Sequence, residues 1–265
     1  MPDINYEGND LYGPWSDSNI NCTQTQNRHD YGKYIINEWN LNGFHSVSKP
    51  YNKVFKQTVV GNVYSDFWIL PETHCQENDL IEIDNFTIYQ NNRIINVNNR
   101  RGSGGIAIAI HNTVLETHEV VAIFKGIDGQ LALKLKNNLN NFLLGIVALY
   151  LSPDSYLYGQ DPENFFNEAT VLWRDLSGCD LLVGAGDLNS RTQQIPDYLP
   201  DVDGDVPART NPDVKRNSHG SHFITFLKDN RAVILNGRVT QGGIKFEISW
   251  EPNFPVNNFA RNNGN

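Results

Sequence analysis

Gly186-Asp187-Leu188-Asn189-Ser190-Arg191-Thr192 is the stretch on which the reading of this chain turns. It follows Asp180-Leu181-Leu182-Val183-Gly184-Ala185, a short apolar run that reads as a central strand. Side chains alternate along a strand with period two. Asp187 and Asn189 therefore lean the same way, setting a carboxylate beside a carboxamide at the strand's C-terminal end. Such a pair suits holding a nucleophilic water and bonding an anionic oxygen. Gly-Asp-x-Asn alone is weak, since three fixed residues arise by chance in roughly a few per cent of chains this long. Its weight depends on partners elsewhere in the chain.

Four other segments supply them. Trp39-Asn40-Leu41-Asn42-Gly43-Phe44 closes an early strand, with Asn40 and Asn42 leaning together and Gly43 permitting a tight turn. Pro71-Glu72-Thr73-His74 closes the apolar run Ser65–Leu70 and sets one carboxylate at a strand end. Hard divalent cations want such an oxygen ligand. Tyr150-Leu151-Ser152-Pro153 offers a phenolic hydroxyl at the end of the run Phe142–Leu151. Arg100-Arg101-Gly102-Ser103-Gly104-Gly105 precedes another strand and offers cations and backbone N–H groups to an anionic ligand. Singly, each piece reads as a surface carboxylate, a sheet tyrosine or turn residues. Jointly, several strands deliver polar tips at their C-terminal ends in a chain only 19% charged.

Composition sets the bounds. The chain has 265 residues, 39% hydrophobic and 11% aromatic, enough for one domain with a real core. A net charge of −9 argues against a protein that coats nucleic acid by bulk electrostatics. It leaves room for an enzyme whose carboxylates hold a cation. Cys22, Cys75 and Cys179 show no paired spacing and read as free thiols. His219 and His222 read as a surface pair at a helix start. No apolar run reaches transmembrane length and no basic-then-apolar signal opens the chain, so the expected location is intracellular, nucleus or cytoplasm, with no membrane contact.

The elements predict an α/β (α+β) protein. Strands are expected at 34–39, 65–70, 85–90, 105–110, 130–136, 142–151, 180–185 and 231–236. Helices are expected over 52–61, with Val54, Phe55 and Thr58 on one face, over 161–178 and over 219–230. The 161–178 helix has Pro162 in its first turn and an apolar stripe of Phe165, Phe166, Ala169, Leu172, Trp173 and Leu176. Strands outnumber widely spaced helices, which suits two packed sheets with helices outside. Residues 1–33 read as a disordered polar leader, 34–250 as the domain and 251–265 as a disordered tail.

In order, Asn40-x-Asn42-Gly43, Glu72-Thr73-His74, Ser103-Gly104-Gly105-Ile106-Ala107, Tyr150-x-Ser152-Pro153 and Gly186-Asp187-Leu188-Asn189-Ser190-Arg191-Thr192 resemble the endonuclease/exonuclease/phosphatase superfamily, that of pancreatic deoxyribonuclease and the apurinic/apyrimidinic endonucleases. The closest resemblance is to endonuclease domains of animal non-LTR retrotransposons. Asn217-x-x-Gly220 and Ile234-Leu235-Asn236-Gly237-Arg238 resemble the next stretch of those domains. The resemblance covers residues 34 to about 240. It implies a four-layer α/β/β/α sandwich of two mostly antiparallel sheets, and a Mg²⁺-dependent phosphodiesterase (Mn²⁺ as a substitute) acting on DNA. By the same resemblance Glu72, with Asn42 nearby, binds the metal. Asn40, Tyr150 and Asn189 hold the scissile phosphate, and Asp187 orients or deprotonates the attacking water, or protonates the leaving oxygen. Arg100, Arg101 and Arg191 contact the DNA backbone.

The chain departs from the family near its C-terminus. Family members carry an Asp and then an Asp-His pair there. This sequence has no Asp-His dipeptide, no His after His222 and no Asp after Asp229. The expectation is therefore a fold lacking its C-terminal strands and an incomplete site. The alternatives are a catalytically inactive remnant that binds a partner, and a phospholipid or inositol-phosphate phosphoesterase.

Overall fold

The computed structural model describes residues 34–45, 53–93, 103–203, 206–207, 209 and 214–235, and the backbone of 259–262. Along the chain run β1 (Ile36–Glu38), α1 (Lys53–Asn62), β2 (Phe67–Pro71), β3 (Phe86–Asn91), β4 (Ile106–His111) and α2 (Asn112–Leu115). Then come β5 (His118–Lys125), β6 (Gln130–Asn137), β7 (Leu143–Leu149), α3 (Pro162–Asp175) and β8 (Leu181–Ala185). The short α4 (Pro200–Asp203), α5 (Ser218–Asp229), β9 (Val233–Ile234) and β10 (Phe259–Asn262) complete the set.

One sheet has the order β1-β2-β4-β3 and the other β5-β6-β7-β8-β10-β9. Most neighbours are antiparallel, but β1 runs parallel to β2 and β7 parallel to β8. Period-two alternation divides the central strands between two apolar layers. Phe67 and Ile69 of β2 join Ile106, Ile108, Leu131, Leu133 and Ile146 between the sheets. Trp68 and Leu70 point the other way and pack with Val60 of α1. Beyond the second sheet, Val147, Leu149 and Leu182 meet Phe166, Trp173, Phe223 and Phe226 of α3 and α5. The layers are thus helix, sheet, sheet and helices.

α3 forms where its pattern places it. Asp161 caps it by accepting from the Asn164 amide at 3.0 Å, and Pro162 occupies its first turn, where a missing N–H costs nothing. In β6, Leu131, Leu133 and Leu135 enter the inter-sheet layer. On its other face Ala132 is covered by α3, while Lys134 is half-buried.

Several expectations need correction. Lys56 and Val60 are the buried residues of α1, whereas Val54 and Phe55 are exposed. The Lys56 ammonium donates to the Gly43 carbonyl, and that bond is what makes its burial tolerable. His219 is fully buried, because α5 starts against the loop of Gly159 and the ring bonds the Gly159 carbonyl at 2.7 Å. β5 has no counterpart in the expected strands. It is an edge strand with Val121 and Ile123 exposed, so it lacks a clean wet face, and a bulge between Val120 and Ala122 breaks its register. Within the expected tail, Phe259–Asn262 form β10, antiparallel to both β8 and β9 and seated between them. Residues 1–33 and 246–250 lie outside the described residues, as do Cys22, Arg100 and Arg101.

Candidate functional site

The two parallel pairings place the site. Strands running side by side end side by side, so the chain leaves β1 and β2 at one end of the first sheet. It leaves β7 and β8 likewise in the second. Asn40, Glu72, Tyr150 and Asp187 follow these four ends. The exit loops are paired by their backbones: Leu41 N–H donates to the Pro71 carbonyl at 2.9 Å and Gly43 N–H to the Glu72 carbonyl at 2.7 Å. The Leu151 N–H reaches the Asp187 carbonyl at 3.0 Å in the other sheet.

Glycines make these approaches feasible. Gly186 has φ 144°, and a Cβ there would sit 1.9 Å from the Leu149 carbonyl oxygen. Gly105, at φ 76°, lies where a Cβ would meet Thr73 Oγ1 at 2.6 Å. Its carbonyl and that of Gly104 accept from the Thr73 and His74 amides, which braces the Glu72 loop. Non-glycine residues here adopt left-handed backbone as well: Asn42, Glu72, His74 and Asn189 all have φ between 47° and 52°. Such conformations cost about 1 kcal/mol or more each and cluster at functional loops.

Side chains then cross between the sheets. Asn40 donates from Nδ2 to Asp187 Oδ2 at 3.1 Å. Tyr150 donates its hydroxyl to Glu72 Oε1 at 2.8 Å. The Asn189 amide donates to Asp187 Oδ1 at 3.1 Å, and its side-chain Nδ2 to the Leu151 carbonyl at 2.9 Å. Asn42 lies at the exposed rim, its backbone N–H bonded to Asn40 Oδ1 at 3.0 Å. Asn217 caps α5 and ties down the Asp187 loop: it accepts from the Gly220 and Arg191 amides and donates to the Asn189 carbonyl. Arg191 is an exposed residue of the same loop.

Charge differs across the site. Burial pushes Glu72 up, but hydrogen bonds from His74, Tyr150 and Asn40 outweigh it, and the carboxylate sits below its ordinary range. Glu72 is thus ionised and ready for a cation. Asp187 goes the other way: burial raises it, and the Glu72 charge adds to this against the bonds from Asn189 and Asn40. Burial, with the Glu72 charge next, raises Tyr150 far above the usual phenol range, so it remains a hydrogen-bond donor.

Two further residues belong here that the sequence pattern does not single out, Arg93 and Glu38, and a third, His74, comes from the Glu72-Thr73-His74 motif. His74 Nε2 lies 3.6 Å from Glu72 Oε2. Arg93 is buried, pairs with Asp128, bonds Ser103 and Ser152, and stacks on Tyr158 at 3.9 Å, joining the β3–β4, β5–β6 and β7–α3 loops. Glu38 ends β1 two residues before Asn40, on the same side of the strand as Ile36, which packs into the inter-sheet layer. Its Oε2 is withdrawn from solvent and has no hydrogen-bond partner among the described residues. Burial, with the Asp187 charge second, pushes Glu38 up to about 8. A Glu at the end of a short strand reads as a surface residue, and only the parallel pairing of β1 reveals that it faces inward.

Against solved structures, the chain superposes on the AP endonuclease LMAP from Leishmania major with a TM-score of 0.58, at 14% identity, over 88% of this chain and 80% of that one. The chain has the endonuclease/exonuclease/phosphatase fold. The endonuclease domain of TRAS1, a telomere-specific non-LTR retrotransposon, aligns over 85% of this chain and 84% of that one, at 12% identity and TM-score 0.48. The Neisseria 3′ phosphatase NExo, in a structure bound to a product DNA hairpin, aligns over 63% of this chain and 62% of that one, at 12% identity and TM-score 0.44. No family model matches the sequence, and a sequence comparison with curated proteins finds no match. Among the described residues, no helix is long and apolar enough to cross a membrane.

Proposed function

We propose that this chain is a divalent-cation-dependent phosphodiesterase of DNA-endonuclease type, of retrotransposon ancestry. One observation carries the reading: Asn40 of the first sheet donates to Asp187 of the second, and Tyr150 of the second donates to Glu72 of the first, so carboxylates from two different sheets share a single site. The donor set fits a hard cation. Glu72 supplies an ionised oxygen and Asn42 a carboxamide at the open rim, which suits Mg²⁺ that keeps most of its waters. Bound there, Mg²⁺ or Mn²⁺ supplies Lewis-acid polarisation of a phosphate oxygen.

The remaining roles fall to the chain itself. Asp187, held by Asn40 and the Asn189 amide, is oriented to take a proton from the attacking water. Its raised pKa makes it a better base than an ordinary aspartate. Water oxygen joins phosphorus, the bond to the leaving sugar oxygen breaks, the water's proton passes to Asp187, and the leaving oxygen takes a proton from solvent. Asn40 and Tyr150 present donors to the phosphate as negative charge grows, Tyr150 turning from Glu72. Arg191, with Arg100 and Arg101, contacts the DNA backbone.

The test is nicking of supercoiled plasmid with Mg²⁺. Asp187→Ala should lower the rate about 10²–10⁴-fold, the usual cost of losing a positioned acid–base group. Folded protein that leaves plasmid intact with Mg²⁺ and Mn²⁺ refutes the proposal. A second reading, a domain of this fold that binds DNA without cutting it, is favoured by the lack of any Asp-His dipeptide. It requires DNA binding unchanged in Glu72→Ala and no turnover.

A further inference from the structure

We propose that His45, Cys75 and Asp79 form a zinc site that staples the Asn42 loop to the Glu72 loop. One ligand atom from each, the His45 ring nitrogen, the Cys75 sulfur and an Asp79 carboxylate oxygen, lies within 4.8 Å of the other two. Ligands about 2.0–2.3 Å from a tetrahedral Zn²⁺ stand roughly 3.5 Å apart, so a small closure around the ion brings all three into place. The site is separate from the carboxylate pair described above. Glu72 and His74 contact each other on one side of their loop, while Thr73 and Cys75 are buried on the other.

The backbone delivers the ligands. Gly43 and Phe44 donate to the carbonyls of Glu72 and Thr73, each at 2.7 Å, so the two loops run alongside one another. His45 is the next residue on one loop, and Cys75 lies two beyond Thr73 on the other. Asp79 returns through a turn in which its N–H donates to the Gln76 carbonyl at 2.9 Å and its Oδ2 accepts from the Gln76 amide at 2.8 Å. Cys75 is a free thiol with no exposure, and His45 is exposed, its ring edge-on to Phe44 at 5.1 Å.

Ligand chemistry selects the ion. A thiolate and an imidazole favour Zn²⁺ over Mg²⁺ or Ca²⁺, which prefer oxygen alone. Cys75 sulfur exchanges its proton for the metal bond, and the proton leaves to solvent. Thiolate and carboxylate then cancel the ion's two charges, which makes a buried site tolerable. The fourth position falls to water. Burial, opposed by the bond from Thr73, aided by the Asp79 charge and opposed by nearby Lys53, brings the thiol up to about 11 in all. None of this depends on the phosphodiesterase reading.

The test is a Co²⁺ titration of the full chain, reduced and freed of metal with a chelator. The expected result is one Co²⁺ per chain carrying a sulfur-to-cobalt charge-transfer band, retained in excess Mg²⁺ and displaced by Zn²⁺. Cys75→Ser should lack the band. His45→Ala, a change at an exposed residue, should raise the half-saturating Co²⁺ at least about 10-fold, as loss of a ligand-orienting group alone already does. Folded wild-type protein without the band overturns the proposal. So does a band that survives Cys75→Ser, which assigns the sulfur to Cys22 or Cys179. If Cys75→Ser does not fold, His45→Ala decides, and an unchanged half-saturation point refutes the site.

Discussion

Glu38→Gln tests the charge arrangement beneath the site most sharply. Glu38 ionises near pH 8 in the folded chain, against an ordinary value of 4.5. A carboxyl raised in this way binds its proton more tightly when folded. It therefore imposes no penalty below pH 4.5, and stability declines as pH rises through that value toward 8. The decline is about 1.4 kcal/mol per pH unit, or on the order of 4–5 kcal/mol over the whole window. Glutamine has the shape of the protonated acid and cannot ionise. The variant should match the wild type near pH 4.5 and exceed it increasingly up to pH 8. The assay is urea unfolding at half-unit pH steps, with chelator present to keep cations from Glu72. For an m-value of about 3 kcal/mol/M, the midpoint gap should widen to roughly 1.5 M. Parallel midpoint curves for the two proteins would refute the inward placement of Glu38. A gap that widens toward low pH would refute the sign.

Other perturbations separate the supports of the site. Tyr150→Phe removes the donor to Glu72 Oε1, and loss of a hydrogen bond to a charged group should cost about 1.5–3 kcal/mol at neutral pH. Because Glu72 lies below its ordinary range, that deficit should shrink as acid protonates it, which urea midpoints at pH 7 and pH 3 will show. Gly186→Ala forces a methyl against the Leu149 carbonyl at a backbone angle reserved for glycine, and should destabilise by more than about 2 kcal/mol in thermal unfolding. Asn217→Ala removes the cap of α5 and the tether of the Asn189 loop. It should cost about 1 kcal/mol and speed amide exchange at Asn189 and Arg191.

Much of the fold is legible where one face of an element decides its pattern. The stripe from Phe165 to Trp173 fixes α3, and the alternation in β6 separates its inter-sheet leucines from Lys134. The reading fails where tertiary context overrides local pattern. β5 sits at an edge, and apolar Val121 and Ile123 fall on its exposed face, so its hydrophobic pattern does not follow its alternating burial. Four residues of an Asn-rich end, Phe259–Asn262, become strand because a partner edge of β8 awaits them. The site divides in the same way. Strand-end residues are visible as motifs, since a polar residue after an apolar run stands out. Glu38, Lys56 and His219 are not visible, because each is a polar residue whose inward orientation depends on a segment outside its own element: the Asp187 loop for Glu38, the Gly43 turn for Lys56 and the Gly159 loop for His219.

The carboxylate pair straddles two sheets, with Glu72 from one and Asp187 from the other. Neither sheet holds a working half. During synthesis the assembly is absent until the chain beyond Asp187 has emerged and the layers have docked. Any partial opening that parts the layers while sparing strands and helices would silence chemistry and leave spectroscopic helicity intact. Turnover would thus report closure of the sandwich more directly than circular dichroism does.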